Sequence, residues 1–162
     1  MEFREANLQD VDAIRDLVHI TWPASYSTII STAQIERMLE VLYEPEMLKK
    51  QIQDPLHHFI LLEDKGRLLG YAHGIADYPT LKLSKIYFLP EFQGRGYGKI
   101  LLQEMETRSI QQHFERVTLN VNRQNPALHF YQKMGYQIQE EIDIPFEQFW
   151  LNDFIMFKNL QA

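Results

Sequence analysis

The chain has 162 residues, a size that fits one domain with a substantial core. A hydrophobic share of 45%, a charged share of 23% and a net charge of −6 argue against a general nucleic-acid binder, which needs a basic face. The absence of cysteine excludes disulfides, thiol nucleophiles and zinc–thiolate sites. The amino terminus lacks the apolar core of a signal peptide and no run is long enough to span a membrane, so we expect a cytoplasmic protein without a membrane partner.

The amino-terminal third predicts one strand followed by helices. The sequence EFREA is typical of a short strand. An apolar stripe at helical spacing follows and reaches Trp22, where Pro23 predicts an interruption. A second helix is predicted to begin at Ser31, which stands at capping-box spacing from Gln34, and a third to begin at Pro45.

After Asp54–Pro55 the pattern changes to that of strands. The sequences HHFILLED and RLLGYAHGIAD predict two strands joined by a turn at Asp64–Gly66, and LKLSKIYFL predicts a third. A helix is predicted from Gly96 to Phe114, then a strand at RVTLNV and a short helix at NPALHFYQKMG. Two apolar runs close the chain, at Tyr136–Ile142 and Phe149–Phe157. This order predicts a single α/β domain of the mixed α+β type.

The stretch LPEFQGRGYGK, residues 89–99, holds three of the seven glycines between a predicted strand and a predicted helix. Its spacing fits neither a P-loop nor a dinucleotide-binding fingerprint. A glycine-rich turn that enters a helix still directs unpaired backbone N–H groups toward one point at the positive end of the helix dipole. The flanking charges are Lys82, Lys85, Arg95 and Lys99 against Glu91 alone. We therefore predict an anion site suited to a pyrophosphate, with a plain turn as the alternative.

Two motifs resemble the GNAT superfamily of N-acetyltransferases. The run from Gln93 to Gly98 resembles motif A of that family, Gln/Arg-x-x-Gly-x-Gly/Ala, and the run from Asn125 to Tyr136 is similar to motif B. The motifs occur in the family's order and separation. The resemblance implies that residues 1–162 form one acetyltransferase domain, with a mostly antiparallel mixed sheet of about seven strands flanked by helices. A weaker resemblance, in TWPASYSTIISTAQIERML and LNDFIMFK, is to the PaiA-like spermine/spermidine acetyltransferases.

The resemblance implies acetyl-CoA as co-substrate and no metal. The pyrophosphate of acetyl-CoA would lie on the backbone of Gln93–Gly98, which we call the glycine loop. Its pantetheine arm would pair with Ile86–Phe88 across a gap from Leu119–Val121. A backbone N–H near Phe88 would polarise the thioester carbonyl. The cofactor-binding residues implied in this way are Ile86, Tyr87, Phe88, Gln93, Gly94, Arg95, Gly96, Tyr97, Gly98, Lys99, Asn122 and Asn125.

Tyr131 stands where the family places its general acid, although a core aromatic at that position is the alternative. The general base is not identified, because LKLSK supplies lysines and serine where many relatives carry a glutamate. The open choices are water, His73 and four carboxylates, which are Glu36, Glu40, Glu44 and Asp77. The competing explanation for His73 is a buried core histidine, and the competing explanation for the three glutamates is a solvated helix face.

Trp22, Tyr26 and Tyr78 lie in segments that, by resemblance, build the acceptor pocket, where aromatic walls suit an amine cation. The implied reaction is acetyl transfer by direct attack in a ternary complex on a primary amine, with a polyamine as one candidate. A peptide or protein amine, an antibiotic, an amino acid, and a non-catalytic acyl-CoA sensor are the alternatives. A homodimer paired through the closing strand around Phe154–Phe157 is a further expectation.

Overall fold

The computed structural model describes residues 1–161, and a seven-stranded sheet runs through them. The strands are β1 (Glu2–Glu5), β2 (His57–Asp64), β3 (Arg67–Asp77), β4 (Thr80–Phe88), β5 (Arg116–Asn122), β6 (Gln137–Phe146) and β7 (Phe149–Asn159). The α-helices are α1 (Val11–Tyr26), α2 (Thr32–Leu42), α3 (Pro45–Gln53), α4 (Tyr97–Gln111) and α5 (Ala127–Lys133). The predicted order of elements is confirmed.

The strands lie side by side in the order β1-β2-β3-β4-β5-β7-β6. The pairing of β4 with β5 is parallel, and the other neighbouring strands pair antiparallel. Parallel neighbours need a crossover, which α4 supplies between β4 and β5. The predicted mixed, mostly antiparallel sheet is therefore confirmed.

Each face of the sheet carries its own hydrophobic cluster. On one face, Leu101 and Leu102 of α4 pack with Leu81 and Leu83 of β4. On the other face, α1, α2 and α3 pack around Tyr71 of β3. Successive side chains of a strand point to opposite faces, so the sheet separates an α4 side from an α1 side.

The parallel pairing of β4 with β5 is short. It covers Thr80–Leu83 against Arg116–Leu119, after which the two strands are no longer paired. The register between β3 and β4 shifts at the same place, because His73 pairs with Lys85 and Gly74 with Leu83, which leaves Ser84 as an extra residue. A bulge of this kind bends a strand and redirects its side chains. The carboxyl-terminal half of β4 consequently diverges from β5.

The prediction that the helix is interrupted at Pro23 is wrong. Helix α1 continues through Pro23 to Tyr26, because the last turn is held by packing: the Tyr26 ring lies 5.0 Å from that of Trp22. The closing strand β7 lies between β5 and β6 and is hydrogen-bonded on both sides. It therefore has no free edge with which to pair across a dimer, so the predicted route of dimerisation is wrong, while the homodimer itself stays a prediction. No helix within residues 1–161 combines the length and apolarity needed to cross a bilayer.

A buried carboxylate joins α4 to the carboxyl-terminal strands. Glu106 of α4 is 8% exposed, accepts a hydrogen bond of 2.9 Å from the hydroxyl of Tyr136, and pairs at 3.0 Å with Lys158 of β7. A charge buried to this extent requires its partner, since the energy of its lost hydration is several kcal/mol. This contact fixes the helix that begins at the glycine loop.

We predict that Lys158→Met lowers the free energy of unfolding by about 2 kcal/mol, because it leaves the carboxylate of Glu106 without its counter-charge. Urea denaturation at pH 7 measures the change. Lys49→Met is the matched control, since Lys49 forms an exposed pair with Glu46 at 3.0 Å, and its loss should change stability by less than about 0.5 kcal/mol. Equal losses in both variants would contradict the structural role of Glu106.

Candidate functional site

A cleft of about 1320 Å³ opens where β4 and β5 diverge. Its walls come from β4, the glycine loop, α5, the end of α1 and the carboxyl-terminal strands. Sites for a single small molecule usually measure roughly 300–1,000 Å³. The cleft is therefore large enough for two reactants side by side.

The glycine loop adopts a backbone conformation that only glycine adopts easily. Gly94 and Gly96 have φ values of +75° and +83°, and a Cβ atom on either would meet no protein atom within 4 Å. Helix α4 begins immediately after Gly96, with no side chain capping its first N–H groups. These open donors at the positive end of a helix favour an anion, as predicted.

Gly98 has a different role from the other two glycines of the loop. A Cβ atom on it would stand 3.0 Å from Cε1 of Phe88, so this glycine permits the start of α4 to pack closely on β4. Of the flanking charges, Lys99 lines the cleft, whereas Glu91 is paired with Arg67 at 2.6 Å. Lys82 lies six residues before the end of β4, roughly 20 Å along an extended strand. It therefore does not belong to the loop.

Side-chain amides hold the turn that leads into α5. The Oδ1 atom of Asn122 accepts from the N–H of Gln124, and that of Asn125 accepts from the N–H of Ala127, each at 2.9 Å. These bonds set the start of α5, and Tyr131 in this helix lines the cleft. Burial raises the pKa of Tyr131 above its ordinary value, so its hydroxyl keeps its proton at neutral pH and can donate it.

Aromatic side chains form the α1 side of the cleft. The hydroxyls of Tyr26 and Tyr87 lie 3.0 Å apart, and the ring of Trp22 lies 5.8 Å from that of Tyr87. Below them, the hydroxyls of Tyr43 and Tyr71 form a buried hydrogen bond of 2.6 Å. Such a wall suits an organic cation or an apolar substrate, since it offers ring faces and few hydrogen-bonding atoms.

His73 is a neutral core histidine at the edge of the cleft. It is 1% exposed, its Nε2 lies 2.7 Å from Nδ1 of His57, and its ring stacks 3.9 Å from that of Phe59. Burial, assisted by the nearby charge of Lys85, lowers the pKa of His73 to about 2. A group with so low a pKa is a weak proton acceptor, which argues against His73 as a general base.

Lys85 extends into the cleft from β4. Its Nζ lies 4.6 Å from the centre of the Tyr43 ring, a cation–π contact. Burial lowers the pKa of this amine to about 8. A lysine in this setting changes charge near neutral pH and responds to any charged ligand beside it.

Asp153 is a cleft residue that the sequence analysis did not select. It stands in β7 opposite Asn122 of β5. Among the cleft residues that the structure describes, Asp153 is the one with a carboxylate group. Burial raises the pKa of Asp153, while a hydrogen bond from Asn120 and the charges of Arg123 and Lys82 act in the opposite direction. The sequence signal that could have indicated Asp153 is the alternation of side chains along a strand, because Asp153 lies two residues after Leu151 and therefore on the same side of β7.

The structure brings most of the predicted site residues to the cleft: Trp22, Tyr26, Ile86, Tyr87, Phe88, Gln93, Gly94, Gly96, Gly98, Lys99, Asn122, Asn125 and Tyr131. Three others lie apart from it. Arg95 and Tyr97 contact the ring of Phe92 instead, and Tyr78 is 66% exposed beside Phe114.

The four carboxylates considered as proton acceptors also lie away from the cleft. Glu40 pairs with Arg37 at 2.9 Å, and Glu44 caps α3 by accepting from the N–H groups of Glu46 and Met47. Glu36 is exposed on α2, and Asp77 is exposed at the end of β3. These side chains face solvent because they occupy the polar faces of helices and strand ends.

The sequence model of the Acetyltransferase (GNAT) family matches residues 12–136. The spermidine N(1)-acetyltransferase of Thermoplasma acidophilum is 24% identical, over 100% of this chain and 99% of its own length. An uncharacterized N-acetyltransferase of Mycobacterium tuberculosis is 25% identical, over 94% and 99%. Among solved structures, PaiA N-acetyltransferase from Thermoplasma acidophilum in complex with coenzyme A has a TM-score of 0.88 at 26% identity, with 98% of each chain covered.

We predict that the free energy of unfolding falls by about 2 kcal/mol between pH 7 and pH 5 through His73 alone. The unfolded histidine gains a proton below its ordinary pKa of 6.5, whereas the folded one stays neutral down to about 2, so acid favours unfolding. Burial also lowers the pKa values of His57 and His58, which adds to the same trend. Denaturation at several pH values measures the slope.

His73→Gln removes the titrating group and should flatten that slope. The control is His129→Gln, because His129 is exposed on α5, and this variant should keep the wild-type slope. An unchanged slope in His73→Gln would show that His73 is not held neutral in the folded protein.

Proposed function

Because the chain belongs to the acetyltransferase (GNAT) family, we propose that it transfers an acetyl group from acetyl-CoA to a primary amine. One observation carries the proposal: β4 and β5 diverge directly beside a helix start whose N–H groups have no side-chain cap. The divergence leaves one edge of β4 without a strand partner from Ser84 to Phe88. An extended amide-bearing arm can pair there while its phosphates lie on the loop.

The donor half of the cleft comprises the glycine loop, β4 and α5. The backbone of Gln93–Gly98 offers N–H groups to the pyrophosphate, and Lys99 adds positive charge. Asn122 and Asn125 hold the turn beside it in position through their own backbone contacts. The solved PaiA structure, which contains coenzyme A, supports this assignment of the donor.

The chemistry requires two proton movements. An alkylamine has a pKa of about 10.4, so the acceptor must lose a proton before its nitrogen attacks the thioester carbonyl. When the carbon–sulfur bond breaks, the departing sulfur takes a proton, which the hydroxyl of Tyr131 supplies and solvent restores. Its raised pKa keeps Tyr131 in the protonated form that this role needs.

Asp153 is our candidate for the residue that receives the proton of the amine. It provides the cleft's carboxylate, and burial raises its pKa toward the range in which a carboxylate accepts protons effectively. It lines the same cleft as Tyr26 of the aromatic wall, which supports a position near the expected path of the amine. Water is the alternative acceptor.

The name of one relative, the spermidine N(1)-acetyltransferase of Thermoplasma acidophilum, makes a polyamine one candidate acceptor. Peptide amines, amino acids and other small amines share the same reaction. A sensor that binds the donor without transfer is the candidate from another class, and it is distinguished by the release of free thiol.

A thiol-release assay with acetyl-CoA and a panel of spermidine, amino acids and peptides tests the function. We expect release with at least one amine, and Gly96→Val should weaken acetyl-CoA binding at least about tenfold because it disturbs the backbone donors of the loop. Gly66→Val is the matched control: Gly66 also has a positive φ, +78°, in open space, but it lies in the β2–β3 turn. Tight binding without thiol release on any amine would leave the sensor as the function.

We predict that Tyr131→Phe lowers kcat at least about tenfold while the dissociation constant of acetyl-CoA stays within about twofold, because only the proton donor is lost. Steady-state kinetics and calorimetry supply the two values. Tyr78→Phe, which removes an exposed hydroxyl away from the cleft, is the control and should match the wild type. A wild-type kcat in Tyr131→Phe would remove this residue from the mechanism.

A further inference from the structure

The charged side chains that line the cleft are mostly positive. Within residues 1–161 they are Lys82, Lys85, Lys99, Lys133 and Asp153. Lys99 follows the glycine loop and Lys133 ends α5, so these two belong to the proposed donor half. Lys82 and Lys85 remain, and they stand in β4 beside the bulge.

Both remaining lysines lie on the α1 side of the sheet. Leu81 and Leu83 are buried in the cluster on the α4 side, which directs Lys82 to the opposite face. The bulge at Ser84 then brings Lys85 to the face of Lys82, next to Tyr87. This face is where the aromatic wall stands and where an amine would approach the donor.

The charges of Lys82 and Lys85 have no ion-pair partner among residues 1–161, where the ion pairs engage other cationic groups. Lys85 contacts the ring of Tyr43 and stands opposite the neutral His73. Asp153 is influenced by Lys82 but does not approach it within ion-pair distance. The exposed ammonium group of Lys82 and the half-buried one of Lys85 thus line the side of the cleft where the amine would approach, and neither forms an ion pair with Asp153.

We propose that the acceptor carries a carboxylate or similar anionic group beside its amine, and that Lys82 and Lys85 bind this group. The acceptor would then be an amino acid or a related amino carboxylate, with its amine directed to Asp153. A polycation such as a polyamine would instead meet two like charges, one of them half-buried, which is unfavourable. The inference rests on the proposed acetyl transfer.

The low pKa of Lys85 is consistent with such a pairing. Burial lowers that pKa to about 8 while the cleft is open to water, so the charged form is held weakly. An anion bound beside the amine favours its charged form and raises the pKa again. Binding of an anionic substrate would therefore offset the cost of burying the charge of Lys85.

The test compares acceptors that differ in the carboxylate alone, with thiol release from acetyl-CoA as the signal. The pairs are L-lysine and cadaverine, L-phenylalanine and phenethylamine, and L-lysine and L-lysine amide, with spermidine added. We expect kcat/KM to be on the order of tenfold or more higher for the carboxylate-bearing member of the preferred pair, the effect of one or two charged hydrogen bonds.

Variants then assign the preference to the two lysines. Lys82→Gln and Lys85→Gln should each reduce the ratio within a pair, and Lys82→Glu should raise kcat/KM for spermidine. Lys50→Gln is the matched control, because Lys50 is exposed on α3 away from the cleft, and it should leave the ratio unchanged.

Two results would overturn the inference: equal or better use of cadaverine, phenethylamine or spermidine by the wild type, or an unchanged ratio in both glutamine variants. If free thiol is released with none of the acceptors, this result contradicts the proposed acetyl transfer and does not bear on the inference about the carboxylate. Calorimetry of the same pairs with CoA-loaded protein then decides the inference, since tighter binding of the carboxylate member supports it and equal binding contradicts it.

Discussion

The divergence of β4 from β5 is the constraint on which the rest of the site depends. Their pairing stops at Leu83 and Leu119, and the bulge at Ser84 begins where it stops. Beyond that point β4 still pairs with β3 and β5 with β7, but the edges of β4 and β5 that face each other are unpaired, so the sheet itself creates an edge inside the molecule. The glycine loop, α5 and β7 are all arranged around this opening, which gives the cleft its size and its two ends.

The two ends of the cleft differ in chemistry because they are built from different kinds of contact. The donor end consists of backbone N–H groups and a helix start, which recognise phosphate without particular side chains. The acceptor end consists of side chains: an aromatic wall, two lysines and one aspartate. Family membership therefore bears strongly on the donor and weakly on the acceptor, whose selection we propose to depend on Lys82, Lys85 and Asp153.

Sequence reasoning succeeded where signals are local and failed where packing decides. Glycine spacing and the Asn–Pro helix start indicated the loop and α5, since caps and positive φ values depend on adjacent residues. Pro23 gave a misleading signal, because contacts of Tyr26 with Trp22 outweigh the hydrogen bond that proline removes. The close packing of Gly98 against Phe88, a residue of another element, could not be read from the glycine spacing.

Local patterns in the chain predicted the order of elements, the glycine loop and the helix that carries Tyr131, because each follows from hydrophobic period or from neighbouring residues, whereas the mostly antiparallel mixed sheet was implied by the family resemblance. Which charges share the cleft depends on the tertiary fold. Lys82 faces the α1 side because Leu81 and Leu83 are buried on the other face, the bulge at Ser84 brings Lys85 to the same face, and Asp153 joins them through the pairing of β7 with β5. Long-range register and strand order are set by packing across the whole domain, and no local pattern in the chain encodes them.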